Sequence, residues 1–185
     1  MPLKNVPKCL TPDLLHALAS MGHGDEIMLA DAHSPSSSLC KSGPIEVRAD
    51  GKDQSTCILN VQIQTIKLNL PCMQPGIFLE RMISFEGFDI PTLLDGILQL
   101  LPLDTYVKFP VALMDPVQSD KDSHIQIPVW DKYREIINKQ EGPHVQIEHV
   151  ERSAFYDRAK KAYAIVHTGE MAKYGNIILK KGLAL

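Results

Sequence analysis

A histidine flanked by two glycines is the first residue in this chain that invites a chemical reading. His23 lies in Gly22-His23-Gly24-Asp25, and Asp31 closes the apolar run that follows. Glycine permits tight turns and close approach of a ligand, and imidazole exchanges protons near neutral pH. Together the two residues form half of an acid–base site for a small polar ligand at the edge of a sheet. They also have a plain structural reading, as a histidine at a surface turn and an aspartate in the loop after a strand. Farther along, Arg152 and Tyr156 stand four apart, on one face of a helix. A guanidinium and a phenol can bind hydroxyl oxygens; the alternative is an ion pair with Glu148 or Glu151 and a place in the core. Tyr174-Gly175-Asn176 precedes the last strand, with an amide that both donates and accepts, or it is a simple turn. Asp104 lies between a helix and a strand, where a turn carboxylate is ordinary.

These residues need elements to hold them. Thr11-Pro12-Asp13 starts a helix, with Thr11 as cap and Pro12 at the first helical position. Leu14, Leu15, Leu18 and Met21 recur at helical spacing, and Gly22 suits a left-handed helix end. Glu26 to Asp31 reads as a buried strand, Ser34 to Gly43 as a loop, and Pro44 to Asp50 as a second strand. A helix spans Pro91 to Leu101. A strand follows over Tyr106 to Met114, with Pro110 implying an edge or a bulge. Val129 to Gln140 is an amphipathic helix, Val145 to Val150 a strand, and Arg152 to Lys161 a helix. Tyr163 to His167 and Asn176 to Lys180 are the last strands. Strands alternating with helices predict a single α/β domain, helices layered around a mainly parallel or mixed sheet.

Composition narrows the function classes. The chain of 185 residues is 44% apolar and 22% charged, with a net charge of −3. That balance gives no broad basic surface for nucleic acid or anionic membrane. No apolar run approaches the roughly 20 residues that cross a bilayer, and the N-terminal stretch lacks the apolar core of a signal peptide. A cytoplasmic protein is expected. The four cysteines, Cys9, Cys40, Cys57 and Cys72, form no CxxC pair and read as free thiols. His23, Asp25, Asp31 and His33 share no recognised ligand spacing, so no metal is expected; His33 falls at the rim of the site.

Four blocks carry a resemblance. They are LTPDLLHALASMGHGDEIMLADAH, GPIEVRADG, FDIPTLLDGILQLLPLDTYV and ERSAFYDRAKKAYAIVHTGEMAKYGNIILKKG. In this order they resemble the fucose mutarotase/ribose pyranase family, its fucose branch more closely. The resemblance implies an α/β fold and a cofactor-independent isomerase. It would interconvert the anomers of a free aldose, L-fucose being the expected sugar. A ribose pyranase-like activity on another sugar, or a sugar-binding variant without turnover, are the alternatives. It further implies self-association, from a dimer to a decamer. It makes His23 the proton donor, Asp104 an acid–base group and Tyr156 a contact or proton relay. Asp31, Arg152, Tyr174, Gly175 and Asn176 become sugar ligands.

One segment breaks the pattern. In the family RADG runs almost directly into the DIP that opens the next helix, whereas here residues 52–87 intervene. The segment reads as an insertion into the single domain. Ile58 to Leu70 alternates like a strand, and an exposed apolar strand of this kind is a pairing hazard. A retained intron is one origin consistent with the Gly51-Lys52 junction.

Overall fold

The computed structural model describes residues 4–49 and 87–184. The expected insertion and its strand-like Ile58 to Leu70 fall outside the described residues, Gly87 apart. The elements are α1 (Pro12–Ser20), β1 (Glu26–Ala30), the one-turn α2 (Ser36–Leu39), β2 (Ile45–Ala49), α3 (Ile90–Leu98) and β3 (Val111–Met114). There follow α4 (Gln118–Asp122), α5 (Pro128–Gln140), β4 (Ile147–Val150), α6 (Arg152–Ala159), β5 (Ala164–Thr168) and β6 (Ile177–Lys180).

Among the described residues the strands form one mixed sheet in the order β2-β5-β1-β6-β3-β4. β2, β5 and β1 run parallel, as do β3 and β4, and β6 is antiparallel to β1 and β3. The C-terminal ends of five strands therefore share one edge of the sheet with the start of β6. Both faces are covered, which is why β1, β3 and β6 read as unbroken apolar runs. Ile27, Leu29, Val166 and Ile177 point to the larger core, under α1, α3 and α5. Met28, Ala112, Ile165 and Ile178 point the other way, toward Leu39 of α2 and Phe155 of α6.

Local chemistry sets the helix ends. The Thr11 hydroxyl accepts from Leu14 N at 3.2 Å, and Asp89 caps α3 through Thr92 N at 3.0 Å. α1 ends without a left-handed glycine. Met21 turns extended, and the Lys181 ammonium donates to the carbonyls of Leu18 and Met21, satisfying the helix terminus instead. The positive φ of this turn belongs to Gly24, at 86°. The strand expected from Tyr106 begins only at Val111. Pro110 has no N–H to donate, and its carbonyl receives Lys180 N at 2.8 Å, so the ladder starts there on an internal strand. The loop expected over Ser34 to Gly43 contains α2, and α4 has no apolar period by which sequence could announce it.

Arg158 ties α6 to the sheet. Its guanidinium donates to both carboxylate oxygens of Glu26, at 2.8 and 2.9 Å, and to Glu148. Bidentate charge-assisted bonds of this kind are strong, and losing the cation leaves two half-buried carboxylates facing each other. Arg158→Leu is expected to lower the unfolding free energy by about 2 kcal/mol. Urea denaturation checks this, and a loss below about 0.5 kcal/mol would contradict it.

Candidate active site

A cavity of about 430 Å³ opens at the edge where the C-terminal strand ends meet. Open α/β sheets bind ligands at this edge, and the volume is in the range of small-molecule sites. Asp31 enters from the end of β1, Met114 from β3, Arg152 and Tyr156 from α6, and Tyr174 and Asn176 from the approach to β6. The antiparallel pairing of β1 with β6, Leu29 opposite Ile177, brings Asp31 and Asn176 side by side although 145 residues separate them.

The two side chains bind each other. Asn176 Nδ2 donates to Asp31 Oδ2 at 2.6 Å, and Asp31 N donates to Asn176 Oδ1 at 3.0 Å. His33 N donates to the other carboxylate oxygen at 3.0 Å. Asn176 thus spends its acceptor and one donor on Asp31, leaving a single N–H for a ligand. Tyr174 is similarly engaged: its hydroxyl donates to Asp120 at 2.8 Å and accepts from Val117 N at 3.3 Å. Gly175 is buried, and a Cβ there would meet Glu170 Cγ at 3.0 Å and Ala172 O at 3.1 Å, so its missing side chain serves loop packing.

Neither expected ion-pair partner goes to Arg152. Glu148 binds Arg158, and Glu151 caps α6 through Ser153 N and Ala154 N. The guanidinium instead lies 5.9 Å from the centre of the Tyr156 ring. Tyr156 is half-buried, leaning on the smaller core while lining the cavity. His33 stands at the rim as expected. Asp120, Met114, Val117 and Lys173 line the cavity without having drawn notice in the sequence. Asp120 sits in a polar Ser-Asp-Lys-Asp run that reads as an ordinary solvated surface.

His23 and Asp104 lie elsewhere. His23 precedes β1 and Asp31 follows it, so the five strand residues put them about 17 Å or more apart, at opposite edges of the sheet. The expectation that His23 and Asp31 form one half-site within a chain is corrected here; the strand between them is too straight to fold back. His23 instead faces Asp104, with Nε2 3.3 Å from Oδ1. Asp104 is buried and also accepts from Tyr106 N at 2.9 Å, so it is a turn carboxylate and a histidine partner at once. The exposed Tyr106 ring meets the imidazole edge-on at 5.6 Å. Asp25 braces the turn by accepting from Gly22 N at 2.7 Å.

The model of the RbsD / FucU transport protein family matches residues 4–75 and 67–184. The chain belongs to the RbsD/FucU family. The fucose mutarotase of Mus musculus is 47% identical over 180 residues, covering 97% of this chain and 94% of that protein. The fucose mutarotase of Homo sapiens is 45% identical, covering 98% and 94%. A crystal structure of the fucose mutarotase from Streptococcus pneumoniae, in complex with L-fucose, superposes with a TM-score of 0.71 at 37% identity, covering 99% of this chain and all of that one. The two stretches matched to the RbsD/FucU model overlap at residues 67–75, within the segment expected from the sequence to be an insertion.

Charge differs between the two edges of this RbsD/FucU chain. Burial pushes the Asp31 carboxyl above its ordinary 3.8, against the opposing pull of the His33 amide, the His33 charge and Asn176. Burial would also raise Asp104, but the Tyr106 amide, His23 and Lys180 outweigh it and hold that carboxyl below 3.8. The stability consequences have opposite signs. Folded Asp31 keeps a proton that the unfolded chain has released, so its contribution declines as pH rises from 3.8 through its raised value. Asp104 contributes fully above 3.8 and loses its contribution as pH falls through its lowered value. Asp104→Asn is therefore expected to be less stable than wild type at neutral pH, the difference shrinking only below 3.8. Denaturation curves across acidic and neutral pH check this, and a pH-independent difference would contradict it.

Proposed function

We propose that the chain interconverts the α and β anomers of L-fucose, without a cofactor, in a site completed by a second copy of itself. The observation that carries the reading is the cavity with Asp31, Arg152, Tyr156 and Asn176 on its wall, in a chain 47% identical to a fucose mutarotase. A free hexose anomerises by breaking the bond between C1 and the ring oxygen. One proton goes to the ring oxygen and one leaves the anomeric hydroxyl; the aldehyde turns about its C1–C2 bond and closes on the other face, reversing both transfers. The catalyst needs proton-exchanging groups on two sides of C1, and a wall that fixes the remaining hydroxyls.

Asp31, Arg152 and the free N–H of Asn176 supply that wall, and the Tyr174 ring bounds it. Tyr156 is the proton-exchanging group on the pocket side. The other is His23, a partly exposed imidazole whose Nε2 faces Asp104. Within one chain His23 is a strand's length from the cavity, so the reading places the His23 edge of one copy against the cavity edge of the next. Asp104 takes part in proton transfer through the imidazole it orients. Self-association, between a dimer and a decamer, belongs to this reading, as does a cytoplasmic setting that keeps the Cys9 and Cys40 thiols reduced.

Saturation-transfer NMR between the anomers of L-fucose tests the reaction. His23→Ala is expected to slow exchange about 10²–10⁴-fold, and an unchanged rate would remove the mechanism. Co-assembled His23→Ala and Asp31→Ala chains are expected to regain activity that neither has alone, since an intact histidine edge can meet an intact cavity edge. No recovery in a mixed oligomer would refute the shared site.

A further inference from the structure

The segment that brings Tyr174 and Asn176 to the cavity adopts a conformation it does not hold unaided. Tyr174 has φ of 58°, in the left-handed region that a bulky residue rarely occupies. Such a conformation persists where the surroundings over-determine it. Here two aromatic side chains of α5, three residues apart on one helix face, reach the segment from behind. Trp130 Nε1 donates to the Tyr174 carbonyl at 2.9 Å. Tyr133, which is fully buried, donates its hydroxyl to the Gly175 carbonyl at 2.8 Å. Burial raises the Tyr133 phenol far above its ordinary range, so it remains a donor at any physiological pH. Neither side chain lines the cavity among the residues that bound it.

Two consecutive carbonyls held by two donors fix the peptide planes on both sides of Gly175. The first plane sets the direction of the Tyr174 ring toward Asp120; the second sets the start of β6 and so the amide of Asn176 against Asp31. A change in either plane would swing both wall residues. Val129, Tyr133 and Ile137 of α5 pack together in the larger core, so the Tyr133 ring is fixed there while its hydroxyl reaches the loop.

We propose that Trp130 and Tyr133 are positioning residues for the sugar wall: they hold the Tyr174 and Gly175 carbonyls and thereby orient Tyr174 and Asn176 toward the ligand. This deepens the sugar-isomerase reading and rests on it for the identity of the ligand. The test uses Trp130→Phe and Tyr133→Phe in the full chain, each keeping an aromatic ring and deleting the donor. In anomer exchange of L-fucose, each is expected to raise KM about threefold to tenfold, the equivalent of one neutral hydrogen bond, with kcat within about twofold. A merely structural role would lower the active fraction instead, giving a reduced kcat at unchanged KM, and that result overturns the proposal. An unchanged KM and kcat overturns it too, while wild-type exchange leaves the sugar reading standing. If wild type does not exchange L-fucose, the sugar reading fails and amide hydrogen exchange over 174–177, measured without sugar, decides the positioning role. Faster exchange confined to that segment supports it; exchange equal to wild type overturns it.

Discussion

The reciprocal bond between Asp31 and Asn176 is the constraint on which the cavity depends. One buried carboxylate and one buried amide, from opposite ends of the chain, leave each other few alternative partners. Each satisfies polar groups that burial would otherwise penalise by roughly 1–3 kcal/mol. The bond forms only because β6 runs antiparallel between β1 and β3. A parallel β6 would carry its first residue to the other edge of the sheet, and Asn176 with it. Sheet topology and site chemistry are therefore one decision in this fold.

The same topology explains why the His23–Asp104 pair lies apart from the cavity. Five strands end at the cavity edge and β6 begins there; at the other edge, β6 ends and the turn through His23 begins. Gly24 N bonds to the Lys181 carbonyl and Asp104 N to the Lys180 carbonyl, so the end of β6 organises the histidine edge as its start organises the cavity. A short central strand thus anchors both the cavity and the His23–Asp104 pair, at opposite edges of the sheet. Assembly would be the simplest geometric way to bring unlike edges together, and it would make activity depend on quaternary structure as directly as on any side chain.

Much of this was legible in the sequence. Apolar spacing, helix-start residues and a short apolar run located α1, α3, α5 and β1, because these leave a local signature. Asp31, Arg152, Tyr156, Tyr174 and Asn176 can bind hydroxyls by type, but it was the family resemblance of the surrounding blocks that singled them out; they do share a cavity. What stayed hidden depends on contacts between distant segments. The termination of α1 by Lys181, 160 residues away from Met21, has no local trace. The commitment of the Tyr174 hydroxyl to Asp120 comes from a five-residue helix without an apolar face. Nor could spacing reveal that the five residues of β1, Glu26–Ala30, hold His23 and Asp31 apart, since that required knowing that all of β1 is embedded in the sheet.

Trp130 has a practical consequence as well. It is the only tryptophan in the chain, its indole N–H is bonded to the loop that forms the cavity wall, and its ring lies 4.7 Å from that of His149. Indole emission responds to hydrogen bonding and to neighbouring charge, so the protein carries an intrinsic optical gauge at the back of its own pocket. Rearrangement of that wall, whether by ligand, by assembly or by the segment between residues 52 and 87, should register as a spectral change with no label introduced.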